Sequence, residues 1–367
     1  MRLSPRRLNR STLHRQMLLS RERLTAPEAV RRLVALQSQQ AGSPYVALWN
    51  RLDGLKAVDV DAAYRDRSLV KASLHRGTLH TVHPDDYTTT RSALLPSLRP
   101  RLGDDRFAAP LDEADALATA LAARAATAST GAELDAWLAE RGSPGTWWGL
   151  RWYAPLWHAP TDAPWSFADR PSFLAAPPAP TGDEAAAAGL AELSRRYLAA
   201  FGPATVADIA QFLGVRRGRV RAAVAALELV EFAAESGPPL LDVPGGPLPE
   251  EDTPAPPRLL PMWDNVLLGH QDRTRLVPAE YRKLLTRVNG DFLPALLVDG
   301  QVAGVWRQVD GGVEATAFAP LPPGAWAGLA EEAASLLAFV GERPDPVPRR
   351  HFRWWDDLPA AEVRVLG

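Results

Sequence analysis

Apolar residues recur at helical spacing over residues 6 to 20, 26 to 38 and 57 to 67, which predicts three helices at the start of the chain. The second opens on Thr25-Ala26-Pro27-Glu28, the spacing of a capping box, with proline in the first turn where its missing N–H costs nothing. Its apolar stripe runs through Val30, Leu33 and Val34, and the next position on that stripe is Gln37. Downstream, "LVKASLHRGTLHTVHP" has the pattern of a strand pair, with Arg76-Gly77 as its turn. Three helices and a hairpin are the outline of a winged helix.

The outline recurs. Helical patterns cover 84 to 98, 111 to 126 and 131 to 141, the last opening on Thr130-Gly131-Ala132-Glu133, and a Trp-rich stretch follows at 146 to 167. After a Pro/Ala linker at 175 to 184, helices are expected over 185 to 200, 205 to 212 and 216 to 227, with a turn at Leu213-Gly214. Arg216, Arg217, Arg219 and Arg221 bunch where a recognition helix would begin, so this unit either contacts nucleic acid or is a merely structural helix-turn-helix. A Pro/Gly-rich segment, 237 to 257, precedes alternating runs at 295 to 309 and 312 to 321 and one helix near 325 to 341. The expectation is an α+β chain of three tandem winged-helix units (1–90, 91–178 and 185–248) and a small antiparallel β-sheet or barrel (256–367).

Composition narrows the class. No apolar run reaches membrane-spanning length and the N-terminus lacks a signal-peptide core, so a cytoplasmic protein is expected. With no cysteine, the chain has no disulfide, thiolate nucleophile, iron–sulfur cluster or cysteine zinc site. The net charge of −2 hides an asymmetry: residues 1 to 101 hold 18 Lys/Arg against 8 Asp/Glu, a balance of +10, and the remainder holds −12. A basic face of that size suits an anionic polymer. Only Lys56, Lys71 and Lys283 are lysines, and the 38 arginines favour bidentate contacts to phosphate or base edges.

Gln37 is then either a satisfied buried amide or a polar group set in a groove for a ligand. Ala41-Gly42-Ser43-Pro44 signals a loop, and an extended exit from the helix would put Gln37 and Gln39 on one face.

Four blocks in order, "LQSQQAGSPYVALWNRL" (36 to 52), "HRGTLHTV" (75 to 82), "LLPMWDNVLLGHQDRTRLVP" (259 to 278) and "LVDGQVAGVWR" (297 to 307), resemble the winged-helix DNA glycosylases of the AlkZ/YcaQ-like family. The resemblance spans nearly the whole chain. It implies a C-shaped stack of three winged-helix units, excision of alkylated bases including bulky or crosslinking adducts on guanine N7, and a catalytic Gln-x-Gln motif at Gln37-Ser38-Gln39. Ser38 departs from the apolar residue more typical of the middle position. The stripe position of Gln37 would then border the DNA groove.

The chemistry agrees. A carboxamide holds no titratable proton near neutrality, but its oxygen can position water and stabilise developing positive charge. An N7-alkylated purine is already cationic and leaves neutral, so two glutamines suit a labile, charged lesion and a narrow substrate range. Product release as an intact abasic site is expected, since a lyase needs an amine nucleophile.

Arg76 and His80 read as DNA-facing wing residues or a solvated strand edge. Trp263, Asp264, Asn265, Arg273 and Arg275 read as further DNA contacts or a structural polar network. His75, His80 and His83 make a poor metal site, because strand alternation sends His80 away from the other two. No Walker loop or His-Glu-x-x-His is present, and neither metal nor cofactor is expected. The expected partner is duplex DNA carrying alkylated guanine, bound by a nucleoid-associated monomer. A non-catalytic winged-helix regulator is the competing reading; a regulator needs no paired amides.

Overall fold

Strand β1 (Arg2–Leu3) leads into helix α1 (Pro5–Arg15), capped by the Ser4 hydroxyl on the Arg7 N–H at 3.1 Å. The structure is a computed structural model and describes residues 1–104, 112–235 and 237–367. Helix α1 stops at Arg15 and not near residue 20, because Met17 turns left-handed (φ 55°). The Met17 and Leu18 amides then close on the carbonyls of His14 and Leu13 at 2.9 and 2.8 Å, a Schellman stop that apolar spacing does not encode. The polar side of α1 is buried. Arg15 makes a two-pronged pair with Asp242 at 2.8 and 2.6 Å, and Arg10 pairs with Asp299.

Helix α2 (Ala26–Arg32) has the expected capping box, with Glu28 accepting the Thr25 N–H at 2.7 Å. It ends at Arg32, well before residue 38. Val34 sits at φ 72°, a costly conformation for a β-branched residue, and the chain leaves as strand β2 (Leu36–Gln37). Gln37 therefore lies on a strand and not on a helical stripe. The expected loop at 41 to 44 instead opens helix α3 (Ser43–Trp49), with Pro44 in its first turn. Helix α4 (Ala57–Arg65) follows, then strands β3 (Val70–Ser73) and β4 (Leu79–Val82), joined at Arg76 (φ 59°) and Gly77 (φ 74°) as the turn signal predicts. Strand β2 adds to this hairpin, giving the antiparallel order β2-β4-β3.

Helices α5 (Pro84–Leu98), α6 (Ala114–Arg124), α7 (Gly131–Ala139) and α8 (Trp147–Tyr153) surround a second sheet. Residue 111, the expected start of α6, lies outside the described residues. The sheet orders β5 (Ser129–Thr130), β7 (Ser172–Ala175) and β6 (Leu156–His158) as β5-β7-β6. Trp157 and Trp165 are core, whereas Trp148 is half exposed under the Arg151 guanidinium.

Helix α9 (Asp183–Phe201) lies along α5 so closely that a Cβ at Gly189 would stand 2.9 Å from the Thr89 carbonyl oxygen. Helices α10 (Val206–Leu213) and α11 (Arg217–Val224) flank Gly214 (φ 74°), as the sequence predicts. Strands β8 (Val230–Ala234) and β9 (Leu240–Asp242) then form a third sheet in which β1 pairs parallel to β8.

The rest is a five-stranded antiparallel meander of β10 (Arg258–Leu260), β11 (Ala295–Val298), β12 (Gln301–Val309), β13 (Gly312–Ala317) and β14 (Glu362–Leu366). Short helices α12 (Asn265–Leu268) and α13 (Arg282–Leu285) interrupt its first connection, and α14 (Ala325–Val340) covers the sheet. Trp306 is fully buried at its centre, donating to the Leu260 carbonyl at 2.8 Å. The chain is thus mixed α+β, and among the described residues no helix is long and apolar enough to cross a membrane.

Two large apolar cores result. One joins residues 13 to 69 to the meander and α14, and the other joins the β3–β4 hairpin to helices α5 through α11. Leu36 belongs to the first, Val34 and Ala35 to the second. The Gln-Ser-Gln stretch begins on the seam.

Candidate active site

The early end of α2 is held from a distance. Asn265 accepts the Gln37 N–H at 3.0 Å and donates to the Ala35 carbonyl, so one amide satisfies two backbone groups that a helix would have paired. The turn that carries Asn265 is itself fixed by Asp264, whose carboxylate takes two bonds from Arg51 at 2.7 and 2.9 Å with both side chains fully buried. Asp264 and Asn265 are thus scaffold beneath the motif and have no surface to offer DNA.

Strand alternation sends Ser38 to the opposite face from Gln37. Its hydroxyl is buried, donates to the Leu36 carbonyl at 3.1 Å and meets Thr81 Oγ1 at 2.7 Å, which in turn meets the Tyr64 hydroxyl at 2.6 Å. A polar residue is tolerated where an apolar one is expected because this hydroxyl chain satisfies it.

Gln37 and Gln39 differ in exposure. Gln37 is 6% exposed and accepts from Arg76 Nη2 at 2.9 Å, while exposed Gln39 accepts the Leu79 N–H at 2.8 Å. Arg76 is half-buried and turned inward, with its second prong on the Phe212 carbonyl at the end of α10. Burial, and then the nearby Arg273 charge, push its pKa down to about 10. Among the described residues no carboxylate pairs with it.

His80 stands opposite Gln37 in the sheet register but is completely buried, so it is not a wing-surface contact. His75 lies in the turn and not on a strand. It therefore meets His80 edge to face at 5.0 Å rather than facing away, and burial holds both imidazoles neutral, His75 down to about 3. His83 instead accepts from the Asp85 N–H at 3.3 Å at the start of α5. Among the described residues no group of three metal-ligating side chains occurs.

The remaining candidates divide. Arg216 and Arg217 are exposed, Arg217 reaching Gln271 at 2.9 Å, and Arg221 is exposed beside them. Arg219 turns inward to Ser97 Oγ and the Ala93 carbonyl at 3.0 and 3.1 Å. Arg275 is a brace, bonded to Thr12 Oγ1 at 3.0 Å and to the carbonyls of Phe201 and Pro203. Arg273 lies over the Phe292 ring, and Trp263 is buried with its indole on the Gly290 carbonyl at 3.2 Å.

One neighbour escaped sequence reasoning. A 3-10 turn at Arg349–Trp354 brings His351 to Gln40, whose Nε2 donates to the ring at 3.3 Å, and leaves Arg349, Arg350 and Arg353 exposed. Its interleaved basic and aromatic residues, "RRHFRWW", were the available signal.

The family model of AlkZ-like DNA glycosylases matches residues 30–339, and the chain belongs to that family. An interstrand DNA cross-link repair glycosylase of Streptomyces sahachiroi is 29% identical over 349 residues, covering 83% of this chain and 88% of the relative. The solved structure of the Streptomyces sahachiroi DNA glycosylase AlkZ superposes with a TM-score of 0.79 at 22% identity, over 95% of this chain and all of that one. The protein is a DNA glycosylase, so DNA is its substrate and the regulator reading falls.

Proposed function

We propose that this glycosylase hydrolyses the N-glycosidic bond of N7-alkylguanine in duplex DNA, bulky and crosslinking adducts included, in repair or in self-resistance to an alkylating natural product. The observation that carries the reading is the pair of amides, Gln37 at the end of β2 and Gln39 just beyond it, whose side-chain oxygens accept from the Arg76 guanidinium and the Leu79 N–H. A neutral oxygen suffices where the leaving base already bears the charge. The relative named for cross-link repair supports the bulky end of the range. Exposed Arg216, Arg217 and Arg221 serve as the phosphate-binding rim, with Arg349, Arg350 and Arg353 as a second group near Gln40.

In this reading the three small sheets and their helices form three winged-helix units in a C-shaped stack, with the meander as the fourth domain. Water is the nucleophile and the product an intact abasic site. Lys71, the lysine nearest the motif, is 5% exposed and stacked on Phe167 at 4.6 Å.

The test is single-turnover excision from an N7-methylguanine duplex, scored as alkali-labile sites, with borohydride trapping in parallel. Wild type should form such sites with no trapped adduct. Gln37→Ala should be slower by roughly 10² to 10³ while still binding DNA. A Gln37→Ala rate within a few-fold of wild type overturns the assignment.

A further inference from the structure

Arg76 is a half-buried cation without an acidic partner among the described residues, and its two prongs end on one side-chain oxygen and one backbone oxygen. The prong on the Phe212 carbonyl meets the negative end of α10, where a helix leaves acceptors unpaired. The other ends on Gln37 Oε1 at 2.9 Å. Backbone geometry reinforces the link. Arg76 occupies a left-handed turn (φ 59°), and the α10–α11 turn approaches so near that a Cβ on Gly214 would stand 3.0 Å from the Arg76 Cα. The guanidinium carbon also lies 5.7 Å from the Phe212 ring centroid.

A carboxamide has two ends of similar shape and opposite function. For glycosidic hydrolysis the oxygen must face the water or the developing sugar cation, because an NH₂ group there would repel the cation and could not accept a hydrogen bond from the water. An isolated glutamine on a strand has three rotatable side-chain bonds and nothing to select between these orientations. A guanidinium can only donate, so the end it touches must be oxygen, and a carbonyl oxygen has a second lone pair left over. The charge of Arg76 does not itself favour a sugar cation. Its contribution therefore passes through Gln37.

We propose that Arg76 is a positioning residue, which sets the orientation of the Gln37 amide and references it to the α10–α11 turn. This rests on the glycosylase reading of Gln37 given above. One consequence is that the helix pair whose α11 is expected to grip DNA also supplies, through Phe212 at the end of α10, the anchor for the catalytic amide.

The experiment is a double-mutant cycle on full-length protein with an N7-methylguanine duplex, measuring single-turnover excision rate, DNA affinity and melting temperature. Arg76→Ala should lower the excision rate roughly tenfold to a hundredfold with DNA affinity within a few-fold of wild type. Arg76→Lys keeps the charge without the planar fork, and it should be nearly as slow. In the Gln37→Ala background, Arg76→Ala should cause no further decrease in rate. An equal further decrease in that background, or full activity of Arg76→Lys, overturns the proposal. A drop in affinity with an unchanged rate at saturating enzyme would make Arg76 a phosphate ligand instead, which also overturns it. If Gln37→Ala is itself fully active, the glycosylase assignment has failed, an outcome distinct from all of these. Should Arg76→Ala melt well below wild type, the Lys variant carries the comparison.

Discussion

Asn265 holds the backbone of Gln37 from 228 residues away, accepting its N–H at 3.0 Å while donating to the Ala35 carbonyl. Replacing it by alanine strands two buried backbone groups, each worth about 1–3 kcal/mol. Asn265→Ala should therefore lower the denaturation free energy by a few kcal/mol and slow excision beyond what reduced folding explains. Chemical denaturation and single-turnover rates at a temperature where the variant is fully folded separate the two effects. A folded variant with the wild-type rate would show that Gln37 keeps its place without this support.

Ser38 and Thr81 share a hydroxyl contact at 2.7 Å inside a chain that runs on to Tyr64. Their energetics should be coupled. Ser38→Ala and Thr81→Val are each expected to cost about 1–2 kcal/mol, and the double variant about 1 kcal/mol less than their sum. Strict additivity in urea melts would mean that the Ser38 hydroxyl is satisfied by the Leu36 carbonyl alone.

Arg216, Arg217 and Arg221 project from one short helix, whereas Arg219 points back to α5. Replacing the three exposed arginines by alanine should weaken binding to any duplex. It should also reduce the slope of log K against log salt by about one unit for each phosphate that is no longer neutralised. Arg219→Ala should instead lower the melting temperature and leave the slope nearly unchanged. If the triple variant keeps the wild-type slope, this helix faces away from DNA.

Acid should weaken the fold. His75 is fully buried and His158 partly so, and both are neutral, each held down to about 3, chiefly by desolvation. In the unfolded chain a histidine titrates near pH 6.5. Between those values the unfolded state binds more protons, so this stability is complete above about pH 6.5 and declines as pH falls toward 3. At pH 5 each group removes about 2 kcal/mol. Urea midpoints at pH 7.5 and 5.0 should differ accordingly, and His158→Leu should narrow the gap. An undiminished gap in that variant would assign the acid sensitivity to other groups.

Local signals were legible where they were local. The capping box at Thr25, the helix start at Thr130-Gly131-Ala132-Glu133, the Arg76-Gly77 turn, and Gly214 between α10 and α11 all lie where residue type and spacing put them. The misplaced ends share another cause. Met17 and Val34 take left-handed conformations that their side chains disfavour, so helix stops at those points are imposed by tertiary partners. The same holds for the candidate site. Gln37 and Gln39 stand out in the sequence, but nothing adjacent reports that Asn265 anchors one of them. Nor does local sequence reveal that Arg76 and His80 turn inward, or that Arg219 is used as a brace.

Helix α1 precedes by 227 and 289 residues the carboxylates of Asp242 and Asp299 that neutralise its buried Arg15 and Arg10. At about 5–20 residues per second, these carboxylates emerge from a ribosome some tens of seconds later. Until then Arg15 has no counter-charge to be buried with, and the motif at residue 37 waits similarly for Asn265. A nascent chain that ends before residue 265 thus carries Gln37 and Gln39 without the side chain that holds the Gln37 backbone. By this order of synthesis the Gln37 segment gains its support only once residue 265 has been made.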